Sequence, residues 1–178
     1  VDVPKLKNMF PNTPILEDNC EGFLGKYGNK YTGTECFASS ISFFGNKTIT
    51  SGEGGAFITN DEEVFDYINK IKSQGQSNEK FIHDVLGYNY RMTNVQAAIL
   101  YGQLETLDEI KNKKKNIFNR YKRNFENCTE ISFQKIENDT VHSEWMFGLR
   151  FHNFTVEQKK ELELHLFHVG IDTRPMFY

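Results

Sequence analysis

Lys47 stands among hydroxyl residues and glycines in SFFGNKTITSGEGGAFITND, residues 42–61. An apolar run from Cys36 to Phe44 leads into this stretch, and GEGG at 52–55 leads out of it into a second apolar run. A lysine on a tight loop between two strands has three uses: a solvated charge, a phosphate ligand or an amine nucleophile. Two other residues bear on the choice. Ser42 lies five residues before the lysine, and Asp18 ends the run PILED at 14–18. An amine, a carboxylate and a hydroxyl at strand ends would make a group-transfer site if the strands are neighbours. Open α/β sheets bind ligands beyond the carboxyl ends of their strands.

The bulk properties set the frame for that site. The chain has 178 residues, enough for one ordinary domain with a sizeable core. A formal net charge of -3 carries no nucleic-acid footprint and no polybasic membrane anchor. No apolar run approaches the roughly 20 residues of a membrane-spanning helix. Cys20, Cys36 and Cys128 are an odd, scattered set without a CxxC pair. That spacing argues against a disulfide framework and against a zinc site, and makes a reducing cytoplasm the expected compartment. His165 and His168 share a metal-compatible spacing, but no third ligand accompanies them. They read as ordinary helix histidines, and no metal is expected. The chain opens without Met, and GIDTRPMFY at its end reads as a strand and loop cut in mid-course. A fragment is the expectation.

The elements that must position Lys47 follow from pattern and punctuation. PILED predicts a short buried strand, Cys36 to Phe44 a second and Gly55 to Thr59 a third. Asn60 with Glu63 predicts a capped helix that turns Val64, Phe65, Ile68 and Ile71 toward a core and closes at Gly75. Thr93 with Gln96 is a second capping box, opening one long, bent helix to about Glu126. KNKKKN at 111–116 reads as its solvated face. Beyond Asn127, EISFQ, WMFGLRF and GIDTR predict strands, and Thr155 with Gln158 caps a third helix to about Val169. Residues 1–107 thus read as part of a larger α/β domain with a mostly parallel sheet. Residues 108–178 read as part of a smaller α+β C-terminal domain. GEGG is either a phosphate-cradling nest of N–H groups or a tight turn, and Trp145 a core or interface residue.

If Asp18, Ser42 and Lys47 face one cleft, the set matches the needs of pyridoxal 5'-phosphate. A lysine condenses with its aldehyde, a carboxylate keeps its ring nitrogen protonated, and hydroxyl and N–H groups take its phosphate. ILED at 15–18, the lysine stretch at 42–61 and LGYNYRMTNVQAAI at 86–99 together resemble the DegT/DnrJ/EryC1/StrS family of pyridoxal-phosphate sugar aminotransferases. The likeness is close over about Pro14 to Leu107 and looser at TRPMFY. FFGNKTIT-x-GEGG is most like the branch that aminates the 4-position of the sugar.

That resemblance implies the fold of aspartate aminotransferase, fold type I, and a set of roles. Lys47 anchors the cofactor and moves the proton, Asp18 pairs with the ring nitrogen and Ser42 binds the phosphate. Glu21, three residues after Asp18 and often Gln in the family, lies by the ring and its hydroxyl. Asn89 reaches the phosphate in the partner's site of a homodimer. His83 and Arg174 are candidates for touching the substrate. The substrate would be a nucleotide-linked 4-keto-6-deoxyhexose and the amino donor glutamate, in polysaccharide biosynthesis, with no nucleic acid or membrane partner. Asn19 and Cys20 stand where many members carry small residues, which could alter packing under the ring. A family branch with histidine in place of the lysine dehydrates, so Lys47 favours transamination. The family's chains are about twice as long, so an N-terminal half with the ring-stacking aromatic and further phosphate contacts would be absent. Such a fragment would be inactive alone. The alternatives are a truncated or degenerate relative that serves as a binding or assembly subunit, and a 3-amino transferase.

Overall fold

The computed structural model describes residues 1–176. In chain order its elements are α1 (Val3–Met9), β1 (Leu16–Asp18), β2 (Lys26–Tyr27), β3 (Lys30–Tyr31), β4 (Ala38–Ser42) and β5 (Gly55–Thr59). Then come α2 (Glu62–Lys72), α3 (Asn94–Glu105), α4 (Leu107–Asn124), β6 (Ile131–Phe133), β7 (Thr140–Val141), β8 (Leu149–Phe151) and α5 (Val156–His168). Contacts divide the chain into two units. The first is Val1–Lys114 with Ile136–Trp145; the second is Lys115–Lys135 with the residues from Met146 onward. This differs from a cut at 107/108. The division falls inside α4, and a later segment returns to the first unit because β7 pairs antiparallel with β2.

The first unit holds a sheet in the order β1-β4-β5. β1 runs parallel to β4, with Leu16 opposite Ala38 and Asp18 opposite Ser40. β4 and β5 are antiparallel, with Ala38 opposite Thr59 and Ser42 opposite Gly55. The expectation of a mostly parallel sheet is therefore corrected: among the described residues, β1–β4 is the one parallel pair. Residues 43–54 contain no crossover helix, so β5 must return antiparallel. β1 also differs from the buried strand expected, since Leu16 is 71% exposed.

The core lies directly beneath the lysine loop. Phe43, Ile49 and Leu100 are buried together, flanked by Phe23, Ile41, Met92, Leu107 and Ile110. Phe23 meets Phe43 edge-on at 6.2 Å. The anticipated long helix is two, α3 and α4, with Thr106 as the C-cap of α3. The Thr93–Gln96 capping box forms as expected, and so does the box of Thr155 and Gln158 at α5. The cap of α2 is Asp61 rather than Asn60: its carboxylate accepts from the Val64 N–H at 3.0 Å. Phe65, expected inside, is 57% exposed. Gly75 takes the chain off α2 as anticipated, with φ at 71° and its N–H donating to Lys70 O at 2.9 Å.

In the second unit the aromatic rings gather on Phe147. Tyr121 stacks on it at 4.7 Å, Phe118 meets it edge-on at 5.2 Å and Phe133 lies tilted at 5.5 Å. β6 and β8 pair antiparallel, and residues 171–174 after α5 form no strand, contrary to the reading of GIDTR. TRPMFY is described only as far as Met176.

Candidate active site

The β1–β4 pairing brings the carboxyl ends of two strands side by side. Asp18 ends β1 and Ser42 ends β4, two residues beyond Ser40 and so on the same face of the strand. The chain then turns through residues 43–54. Lys47 N–H donates to Phe44 O at 3.0 Å, Ser51 N–H to Phe43 O at 3.0 Å, and the Thr50 hydroxyl to Phe43 O at 2.9 Å. Helix α3 fixes the same loop from below. The Gln103 side-chain amide donates to Thr50 O at 2.6 Å and accepts from Thr50 N–H at 3.0 Å. With Ile49 buried to 1% exposure, the lysine loop is among the best-held loops of the unit.

Lys47 is correspondingly enclosed, its side chain 11% exposed. Its amine forms an ion pair and hydrogen bond with the Glu21 carboxylate, on the loop that follows β1. The amine also sits 4.4 Å from the centroid of the Trp145 ring. Asp18 is held differently. Its carboxylate accepts from the Cys20 N–H at 3.1 Å, and its pKa lies below the ordinary aspartate range. The thiol and N–H of Cys20 are the main causes, with the Lys47 charge adding to them. Asp18 is therefore an anion at neutral pH. The Cys20 thiol is pushed up, first by burial, and lies 3.4 Å from the Ser40 hydroxyl. It is a protonated neighbour rather than a nucleophile. The Ser42 hydroxyl accepts from Phe44 N–H at 3.3 Å.

Asn19, one of the departures from the family pattern, is buried beneath this surface. Its amide donates to Thr32 O at 3.1 Å, and its N–H to Ser40 O at 3.1 Å. Its work is to tie the post-β1 loop to β4. GEGG behaves as a turn: Gly54 has φ at 131°, and a Cβ there would meet Ser51 Oγ at 3.0 Å.

Four of the residues singled out from the sequence, Asp18, Glu21, Ser42 and Lys47, thus belong to β1, β4 and the loops that leave them. His83 and Asn89 sit on a separate loop against the end of α2. His83 Nδ1 lies 2.9 Å from Gln74 O, and Asn89 bridges Ser73 between Tyr88 and Tyr90, whose rings stack at 4.9 Å. Arg174 is exposed in the second unit. Trp145 is the residue that the sequence reading left unassigned to the site. No local signal marks it; only the long-range return of Ile136–Trp145 places it by Lys47. Lys114 is an exception to the solvated lysine run, half-buried and donating to Trp145 O at 2.9 Å, its pKa lowered by that burial. Among the described residues no group of three or more His, Cys, Asp or Glu side chains could hold a metal, and no helix is long and apolar enough to cross a membrane.

Two adjacent strand ends of an α/β unit thus carry an ionised carboxylate and a hydroxyl, and the loop that leaves the second carries an enclosed amine. The chain belongs to the DegT/DnrJ/EryC1/StrS aminotransferase family, whose model matches residues 3–178. It is 42% identical over 179 residues to GDP-perosamine synthase of Escherichia coli O157:H7, covering 100% of this chain and 47% of that protein. With GDP-perosamine synthase of Vibrio cholerae it shares 36% identity over 165 residues, 92% of this chain and 45% of that one. The structure of Helicobacter pylori PseC, an aminotransferase involved in the biosynthesis of pseudoaminic acid, superposes with a TM-score of 0.85. The two are 26% identical, and the match covers 96% of this chain and 47% of the other. The family resemblance and the α/β fold of type I enzymes expected from the sequence are both borne out. The chain spans about half the length of the curated relatives it matches.

Proposed function

We propose that this chain carries the lysine side of a pyridoxal-phosphate site, and that the whole protein moves an amino group from glutamate to a sugar. The acceptor is the 4-keto carbon of a nucleotide-linked 4-keto-6-deoxyhexose, the substrate class that the family resemblance implies, and relatives named GDP-perosamine synthase are in keeping with a nucleotide-linked sugar. The observation that carries the reading is the enclosed Lys47 amine beside Glu21, with ionised Asp18 and the Ser42 hydroxyl at the neighbouring strand ends. These residues fit the cofactor. When bound, pyridoxal phosphate supplies an electron sink through its protonated ring. Asp18 keeps a negative charge where that ring nitrogen needs one. Ser42 offers its hydroxyl to the phosphate, and Lys47 is the amine for the aldehyde and, once released, the carrier of the proton. Glu21 holds the amine in place and can take a proton from it. Nothing in the arrangement favours a non-catalytic scaffold, which has no use for an enclosed lysine paired to a carboxylate.

The remaining parts of the reading rest on family membership. By family membership, residues 1–107 belong to the large cofactor-binding domain and 108–178 to the smaller C-terminal one. The whole protein is a cytoplasmic homodimer in which Asn89 serves the partner's site, and His83 and Arg174 touch the sugar nucleotide. The test of the central reading is chemical. The whole protein is incubated with pyridoxal phosphate, reduced with borohydride, digested and examined by mass spectrometry. The adduct is expected on the peptide that contains Lys47. A folded protein with no adduct there, the cofactor in excess, overturns the reading.

A further inference from the structure

We propose that Trp145 is a positioning residue for Lys47, its indole face holding the lysine amine and its indole edge holding the backbone of the residue before it. The proposal rests on the reading of Lys47 as the reacting amine. The segment that carries Trp145 joins the first unit through β7, where Lys26 pairs with Val141 and Tyr27 with Thr140. The next residues are tied to the site at both halves of the ion pair. The Ser143 hydroxyl donates to Glu21 O at 2.8 Å. Trp145 Nε1 donates to Asn46 O at 2.8 Å, while Lys47 Nζ lies 4.4 Å from the centre of the ring. One indole therefore grips two consecutive residues, by its edge and by its face. Its own carbonyl accepts from Lys114 at 2.9 Å, so the segment is anchored behind the ring as well.

A free lysine side chain samples many rotamers, and an amine that must meet a carbonyl gains rate from being held. Glu21 supplies charge but is 42% exposed, so alone it leaves the amine room to swing outward. The electron-rich face of the indole closes the other side and favours the ammonium there. Phenylalanine at 145 would keep a π face and lose the N–H donor; leucine would keep apolar bulk and lose both.

The experiment uses the whole protein after removal of cofactor and a reagent that needs none. Brief acetylation with acetic anhydride is quantified by mass spectrometry at Lys47 against Lys30, an exposed lysine 69% accessible at its side chain. Trp145→Leu should raise the Lys47/Lys30 labelling ratio about fivefold, the factor expected for loss of a cation–π contact. Trp145→Phe should restore it to within about twofold of the wild type, because the π face is retained. Circular dichroism confirms that each variant is folded. A leucine variant that labels like the wild type overturns the proposal, as does a phenylalanine variant that labels like leucine. Because acetylation needs no pyridoxal phosphate, failure of the cofactor reading would show separately, as a missing adduct with this labelling order intact.

Discussion

The loop that carries Lys47 and the loop that carries Asn89 are held in different ways. Around Lys47 the chain closes on itself. Ile49 is buried in the core, Gln103 pairs with Thr50 through two amide bonds, and Glu21 and Trp145 enclose the amine. Around Asn89 backbone bonds do most of the holding: Gln74 N–H to Tyr88 O at 2.9 Å, Tyr88 N–H to Ile71 O at 2.7 Å and Tyr90 N–H to Lys72 O at 3.0 Å. The apolar side chains there face outward, with Leu86 81% and Tyr90 70% exposed. On the proposed reading, a loop with a firm backbone and exposed aromatics is the face that a second subunit would cover. The Lys47 cluster needs no such cover to keep its geometry. The difference separates a loop whose side chains this chain encloses from one whose aromatics it leaves exposed.

The strongest way to break the comparison is to remove the amine. On the proposed reading, Lys47→Ala in the whole protein is expected to lower glutamate-dependent amination of a nucleotide-linked 4-ketosugar by on the order of 10⁴-fold, since both nucleophile and proton carrier would be lost. The variant should remain folded by circular dichroism. Turnover within tenfold of the wild type would remove Lys47 from the chemistry and leave its loop a purely structural device.

The next test addresses the holding of the two loops. Ile49→Ala leaves a cavity under the lysine loop and should cost about 3 kcal/mol in urea unfolding. Tyr90→Ala, on the exposed loop, should change the stability of a subunit by no more than about 0.5 kcal/mol. Equal costs at both positions would mean that the exposed loop is as deeply built into the subunit as the lysine loop.

A smaller effect is expected at Asn89 itself. Asn89→Ala should weaken cofactor binding about tenfold, the scale of one hydrogen bond to a charged group. Mixing decides in which subunit the residue acts. If Asn89 acts across a homodimer as proposed, coexpressed Lys47→Ala and Asn89→Ala chains should recover activity, because a hybrid dimer would contain one site with both residues intact. Without recovery, Asn89 serves its own subunit and the two loops belong to one site.

How much of this was legible in the sequence follows the range of the contacts involved. Thr93–Gln96 and Thr155–Gln158 were readable because a capping box is a matter of three residues. The aspartate and the serine were readable because each ends a strand, and the lysine because it stands in the glycine-rich loop just beyond one. The antiparallel return of β5 was missed because residues 43–54 look like any strand-ending loop until their partners are known. The break at Thr106 was missed because an apolar rhythm runs through both α3 and α4, and the N-cap of α2 was off by one because Asn60 and Asp61 are both good caps. The burial errors share one cause. Leu16 and Phe65 have core-type side chains at core-type spacing, yet the described residues leave them exposed. Trp145 was beyond reach altogether, since its place depends on β7 crossing to β2 from more than a hundred residues away.

The smallest expected effect concerns Asp18 and acid. Its carboxyl pKa is depressed by the Cys20 thiol and N–H and by the Lys47 charge. The folded state therefore binds this proton less readily than the unfolded chain, whose aspartates titrate near 3.9. By linkage the contribution to stability is fully present above the unfolded value and is lost as pH falls through the lower, folded one. Asp18→Asn should accordingly be slightly less stable than the wild type at neutral pH, and the gap should begin to close near pH 4 and vanish only once the pH has fallen through the lower, folded pKa. Because Asp18 is open to solvent, the gap will be small, and urea midpoints at several pH values are the appropriate measure. A gap that persists unchanged into strong acid would mean that Asp18 contributes through shape rather than charge. Convergence would show that the charge at the end of β1 is held by its own neighbours before any ligand arrives, as the self-contained character of the lysine cluster requires.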